Sequence, residues 1–209
     1  FISTVPMQKT QDVKNRSRDF DLADKDYKAP ISYLLEANVE PGDKVLILTG
    51  TGTQEWPKKN YLAWKAEFEG ILKAHQATAQ FEEIVEPGFD RDNFNSEQDN
   101  LDSLTFSKFF KDVSDKIQDG DMIYADVTYG MKCYTIAMMI ALQYVSKACR
   151  DTEVKNIIYA QFFKGDMGKF PDCADIIDIT SLLYLSSMVG NAQPGQKGSM
   201  DSFLKLVID

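Results

Sequence analysis

Short apolar runs of strand length alternate with segments of helical period along this chain, and that alternation confines it to an α/β architecture. The clearest run is Lys44-Val45-Leu46-Ile47-Leu48-Thr49, continuous rather than alternating, and closed by Gly50 and Gly52. A strand that is apolar on both faces is buried on both, as in a parallel sheet covered by helices. Further strands are expected at residues 1–5, 80–86, 122–127, 154–163 and 174–179. Helices are expected at residues 31–37, from Pro57 onward, and at 104–117, 131–145, 181–189 and 200–208. The predicted fold class is therefore α/β: a Rossmann-like, doubly wound, mostly parallel six-stranded sheet with helices on both faces.

With 209 residues, 44% of them hydrophobic, the chain can bury a sizeable core. Residues 1–192 read as one ligand-sensing domain. Residues 193–209 read as a linker, Gln193-Pro194-Gly195-Gln196-Lys197-Gly198-Ser199, and a short C-terminal helix from which an effector domain could follow. Residues 6–28 are polar without a clear period and read as a long loop, the natural lid; residues 89–100 read as an acidic loop.

A net charge of -9 argues against a surface that grips duplex DNA or an anionic membrane. It leaves open a small anionic ligand held by a few backbone N–H groups and one cation. No apolar run is long enough to span a bilayer and no signal peptide is visible, so a cytoplasmic location is expected. Three cysteines (Cys133, Cys149, Cys173) without a C-x-x-C, and a single histidine, His75, speak against a disulfide framework, a zinc site or a catalytic triad. No metal and no cofactor are expected.

Three strand ends carry unusual turns, and ligands of open parallel sheets bind beyond such ends. They are Ser3-Thr4-Val5-Pro6-Met7-Gln8, then Thr49-Gly50-Thr51-Gly52-Thr53, then Asp126-Val127-Thr128-Tyr129-Gly130-Met131-Lys132. In the third, Gly130 permits a close backbone approach or a positive φ. Thr128 offers a hydroxyl, and Lys132 sets a cation where free helix N–H groups already favour anions. The alternative is that Asp126 or Thr128 caps the helix and Lys132 points to water. The second turn fits neither the dinucleotide fingerprint nor the P-loop, since Glu55 stands where a small residue is wanted. The helix after Gly130 is apolar almost all round (Tyr134, Ile136, Ala137, Met138, Met139, Ile140, Leu142), so it needs cover beyond the sheet.

Asp126-Val127-Thr128-Tyr129-Gly130 followed by an apolar helix resembles the D-x-T-H-G turn of the CRISPR-associated Rossmann-fold (CARF) proteins, with Tyr129 in place of the histidine. The resemblance implies a homodimer that binds a cyclic oligoadenylate second messenger of type III CRISPR antiviral defence across its two-fold axis. By the motif match, Thr128, Gly130 and Lys132 would contact phosphates and riboses, with Met131 beside them. Tyr129 could stack on adenine. Thr4 and Gln8 follow from their place in the first loop, and Thr49, Gly50 and Thr51 from the second turn.

The function expected is thus a sensor of cyclic tetra-adenylate that switches an attached or associated effector. The alternatives are a metal-independent ring nuclease, in which Lys132 would stabilise charge developing on the phosphate, and a generic nucleotide-binding α/β enzyme.

Overall fold

The computed structural model describes residues 1–10, 13–50, 55–86, 103–163, 173–193 and 195–208. The elements in chain order are β1 (Ile2–Thr4), β2 (Lys14–Ser17), α1 (Ile31–Asn38), β3 (Lys44–Gly50), α2 (Glu55–Ala74), β4 (Gln80–Glu86) and α3 (Ser103–Ser114). They continue with β5 (Met122–Asp126), α4 (Lys132–Ala148), β6 (Glu153–Phe163), β7 (Cys173–Asp178), α5 (Thr180–Asn191) and α6 (Lys197–Ile208). The strands form one sheet in the order β2-β7-β6-β5-β1-β3-β4. From β6 to β4 neighbours are parallel; β7 runs antiparallel to β6, and β2 parallel to β7. The sheet is mixed and mostly parallel, and the fold class is α/β.

The expectation of six strands falls one short, because the sheet has seven. The extra strand is β2, whose residues Lys14-Asn15-Arg16-Ser17 include nothing apolar and so leave no periodic signal. It forms because the edge of β7 offers main-chain groups that need partners. Ser17 Oγ donates to Ile176 O at 2.6 Å, Arg16 pairs with Asp175, and Asp19 accepts the N–H of Asp178 at 2.9 Å. Phe20, Leu22 and Tyr27 pack against the core further along. Residues 6–28 are therefore not one lid; their middle is sewn to the sheet. The expected linker is also shortened, since α6 begins at Lys197. The acidic stretch 89–100 and Pro194 lie outside the described residues.

The continuous apolar run of β3 has a direct cause. Val45 and Ile47 face one way, among Ile31, Leu34 and Leu35 of α1 and Trp64, Phe68 and Ile71 of α2. Leu46 and Leu48 face the other, among Phe109 and Val113 of α3, Tyr134, Met138 and Leu142 of α4, and Leu183 of α5. Successive side chains alternate across a strand, so helices on both faces demand apolar residues at every position. Each such side chain contributes roughly 1.5–3 kcal/mol on burial.

The chain builds β1, β3 and β4 outward to one side, then returns to place β5 and β6 on the other side of β1. The direction of winding reverses between β1 and β5, which is where crossovers diverge and leave a crevice. The turns after these two strands meet there. No helix among the described residues is long and apolar enough to cross a membrane.

Candidate functional site

The turn that lines the crevice is shaped by a buried carboxylate. Asp126, the last residue of β5, is fully enclosed. Its Oδ1 accepts the N–H of Thr128 at 2.9 Å, and its Oδ2 accepts Ser3 Oγ–H from β1 at 3.1 Å. Burial pushes its carboxyl up to about 6; the bonds from Thr128 and Ser3 and the N–H of Ile31 oppose that rise without cancelling it. Asp126 therefore ties together the ends of β1, β5 and α1, and folds residues 126–128 into a turn.

Thr128 is fixed from the far side as well. Its Oγ1 accepts the N–H of Ala160 on β6 at 2.9 Å, and its hydroxyl donates to the Asp126 carboxylate. Gly130 has φ +95, a conformation glycine reaches without strain. Chain direction changes there, and α4 starts two residues on. Met131 is its N-cap, with no side-chain cap bond and no acidic residue in the first turn. The N–H of Tyr134 donates to Met131 O at 2.9 Å, so among the described residues it is the N–H groups of Lys132 and Cys133 that face water or a ligand.

The other wall comes from the loop after β1. Asn60 of α2 is buried and donates through Nδ2 to Pro6 O and to Gln8 O, both at 2.8 Å. Between this loop and the β5 turn lies an open cavity of about 610 Å³, lined by Pro6, Met7, Gln8, Lys9, Thr10 and Val13 on one side and by Thr128, Tyr129, Gly130, Phe162 and Phe163 on the other. The size suits a nucleotide-scale ligand. Tyr129 is half-buried between Trp64 at 5.6 Å and Phe162 at 5.7 Å, and burial raises its phenol well above the ordinary value. The indole N–H of Trp64 meets no acceptor among the described residues. A second cavity, of about 490 Å³, opens at the amino end of the strands near Asn38, Asp43, Lys116 and Tyr124. The carboxyl end of α1 faces it, a setting unfavourable to anions.

The residues singled out from sequence divide cleanly. Gln8, Thr128, Tyr129 and Gly130 line the large cavity. Thr4 is buried in β1, beneath it. Met131 packs against the core, and Lys132 stands exposed in the first turn of α4, outside the cavity lining. Thr49 is buried and its hydroxyl donates to Glu83 at 2.8 Å, so it braces β3 against β4. Gly50 ends β3, and Thr51 lies outside the described residues. Neither Asp126 nor Thr128 caps α4. Asp119 and Asp121 serve turns, accepting the N–H of Arg150 and of Gln118.

Asn60, Phe162 and Phe163 were not anticipated, and Ser3 was named only as the start of the first turn. Asn60 sits in a helix rich in lysine and glutamate, where one more polar residue is no signal. The consecutive aromatics ending β6 were visible, as a strand end rich in large rings. The three cysteines are free, and no group of three histidine, cysteine, aspartate or glutamate side chains is placed to hold a metal among the described residues.

Fold and cavity together define an α/β domain with a mostly parallel sheet, consistent with a generic Rossmannoid fold, and with a nucleotide-sized crevice where its winding reverses. No known family model matches the sequence, and no curated protein matches it either.

Proposed function

We propose that this chain is a cyclic oligoadenylate sensor of a type III CRISPR ancillary protein, binding cyclic tetra-adenylate across a homodimer two-fold and switching an attached or associated effector. The observation that carries the reading is the join between the Asp126–Lys132 turn and the outer face of α4. Ile136, Ile140 and Tyr144 lie at i, i+4 and i+8 along that helix and are 59%, 52% and 53% exposed, while the opposite face is buried. An apolar stripe of this kind suits a partner helix. Pairing α4 with its own copy would bring two Thr128–Lys132 segments toward one axis, and a symmetric ring of phosphates matches such a site. Lys132 and the uncapped N–H groups of α4 favour the phosphates. Gln8, Thr128, Tyr129 and Gly130 supply the rest of each half-site.

The test is calorimetric titration with cyclic tetra-adenylate, linear tetra-adenylate and ATP, beside light scattering for mass. One ring per two chains, with linear and mononucleotide controls far weaker, is the expected result. A monomer that takes up no ring at any attainable concentration overturns the reading. Following a labelled ring in the same samples reads cleavage directly; linear product that disappears with Lys132→Ala would make the chain a ring nuclease.

A further inference from the structure

β6 outruns its neighbour. The last β5–β6 partners are Asp126 and Ile158, whereas β6 continues to Phe163, paired only with β7, in register from Ile158 with Asp178 to Phe163 with Cys173. Residues 159–163 therefore overhang the Asp126–Lys132 turn as a wall. That wall ends in two consecutive rings. Phe162 lies 5.7 Å from Tyr129 at 39°, and Phe163 lies 5.9 Å from the guanidinium carbon of Arg16. Both line the large cavity, and they remain 44% and 39% exposed.

These rings belong to a column. Trp64 is buried in the core, Tyr129 is half-buried above it, and Phe162 stands at the mouth, with spacings of 5.6 and 5.7 Å between successive centroids and planes tilted by 59° and 39° rather than parallel. These distances lie in the range of favourable aromatic contact. A column built only for stability would end under cover, because an aromatic side chain gains most from full burial. This one ends in an open face turned to a cavity of nucleotide size. Its far edge carries groups suited to a ligand with polar and anionic parts, Gln8 and Lys9. Every nucleobase offers a π-face of matching extent.

We propose that Phe162, with Phe163 beside it, is a base-stacking subsite: one nucleobase of the ligand extends the Trp64–Tyr129–Phe162 column by a further ring. This rests on the reading of the cavity as a nucleotide site, and names the part of the ligand that β6 recognises. By the usual contribution of one base stacked on one aromatic, Phe162→Ala lowers affinity roughly 5- to 150-fold.

Two probes separate this subsite from the choice of a cyclic ligand: cyclic tetra-adenylate and linear tri-adenylate, each carrying one 2-aminopurine, whose fluorescence falls when it stacks. The variants are Phe162→Ala, Phe162→Leu, which keeps apolar bulk without a ring, and Phe162→Trp, which keeps the ring. Quenching of either probe that is lost with Ala and Leu and kept with Trp supports the subsite. If the linear probe behaves so and the ring is not bound, the subsite stands and the cyclic reading falls. If calorimetry shows the ring bound, yet without quenching or without change in Phe162→Ala, the subsite is overturned and the sensor reading survives. Binding of neither probe overturns both.

Discussion

Asp126 accepts the backbone N–H of Thr128 at 2.9 Å from a position with no access to water. One carboxylate thus shapes the Asp126–Gly130 turn and bears a desolvation cost to do so. Its folded-state value is about 6 against an ordinary 3.8. Below about pH 4 the group is protonated whether the chain is folded or not. As pH rises from about 4 to about 6 the unfolded chain gives up this proton and the folded chain retains it. The contribution to stability therefore falls through that window, by roughly 3 kcal/mol in all, and stays low above it. Asp126→Asn cannot ionise and escapes the fall. Urea denaturation at pH 4 and pH 7 should show the variant gaining on the parent by up to that amount at the higher pH; parallel profiles would refute the assignment.

Asn60 is the second clamp on the site. Its amide reaches two carbonyls of the β1 loop at once, on Pro6 and Gln8, and Pro6 is buried. Truncation leaves acceptors without partners, at a cost of about 1–3 kcal/mol. Asn60→Ala should lose stability in that range and weaken ligand uptake, because Gln8 would no longer be held at the cavity wall. Lys58→Ala, exposed two residues earlier on the same helix, should change stability by under about 0.5 kcal/mol. Equal effects in the two variants would remove Asn60 from the site.

How far the sequence foretold these features follows from what kind of physics made them. β3 was legible because its apolar run answers to helices on both faces, a local imprint of the whole architecture. The Asp126–Gly130 turn was legible because a positive φ at Gly130 and a carboxylate two residues before Thr128 are local devices. β2 was not, since Lys14-Asn15-Arg16-Ser17 owes its strand conformation to an edge that the chain supplies some 160 residues later, as the Ser17 to Ile176 bond shows. Asn60 and Phe162 were missed for the same reason. Each acts on a segment far away in sequence, and nothing in its immediate neighbours records the partner. Thr49 shows a long-range partner of the same kind: beside a glycine at a strand end its hydroxyl looks like a ligand contact, and its proton goes to Glu83.

Two glycines give a matched pair of expectations with opposite signs. Gly130 holds φ +95, where any side chain is strained, so Gly130→Ala should lose about 1–3 kcal/mol. Gly70 lies within α2, and a Cβ there would meet nothing within 4 Å. Gly70→Ala should therefore gain roughly 0.5–1 kcal/mol by restricting the unfolded chain. Thermal denaturation of both variants reads the contrast. Stabilisation by Gly130→Ala would mean that the turn adopts another conformation in solution.

The proposed dimer places the outer face of α4 in its seam. Ile140 stands at the centre of the exposed Ile136–Ile140–Tyr144 stripe, on the side away from Met138 and Leu142 in the core. A glutamate there stays solvated in a monomer, so Ile140→Glu should leave stability within about 0.5 kcal/mol of the parent. In a two-fold interface the same substitution sets two carboxylates close together in an apolar seam. Desolvation and like-charge repulsion then oppose pairing by several kcal/mol, which is a hundredfold or more in the dimer constant. Sedimentation of parent and variant should show a dimer and a monomer respectively, with ring uptake lost in step. A dimer that persists with the glutamate in place would move the interface away from α4, and with it the argument that two Thr128–Lys132 segments share one ligand.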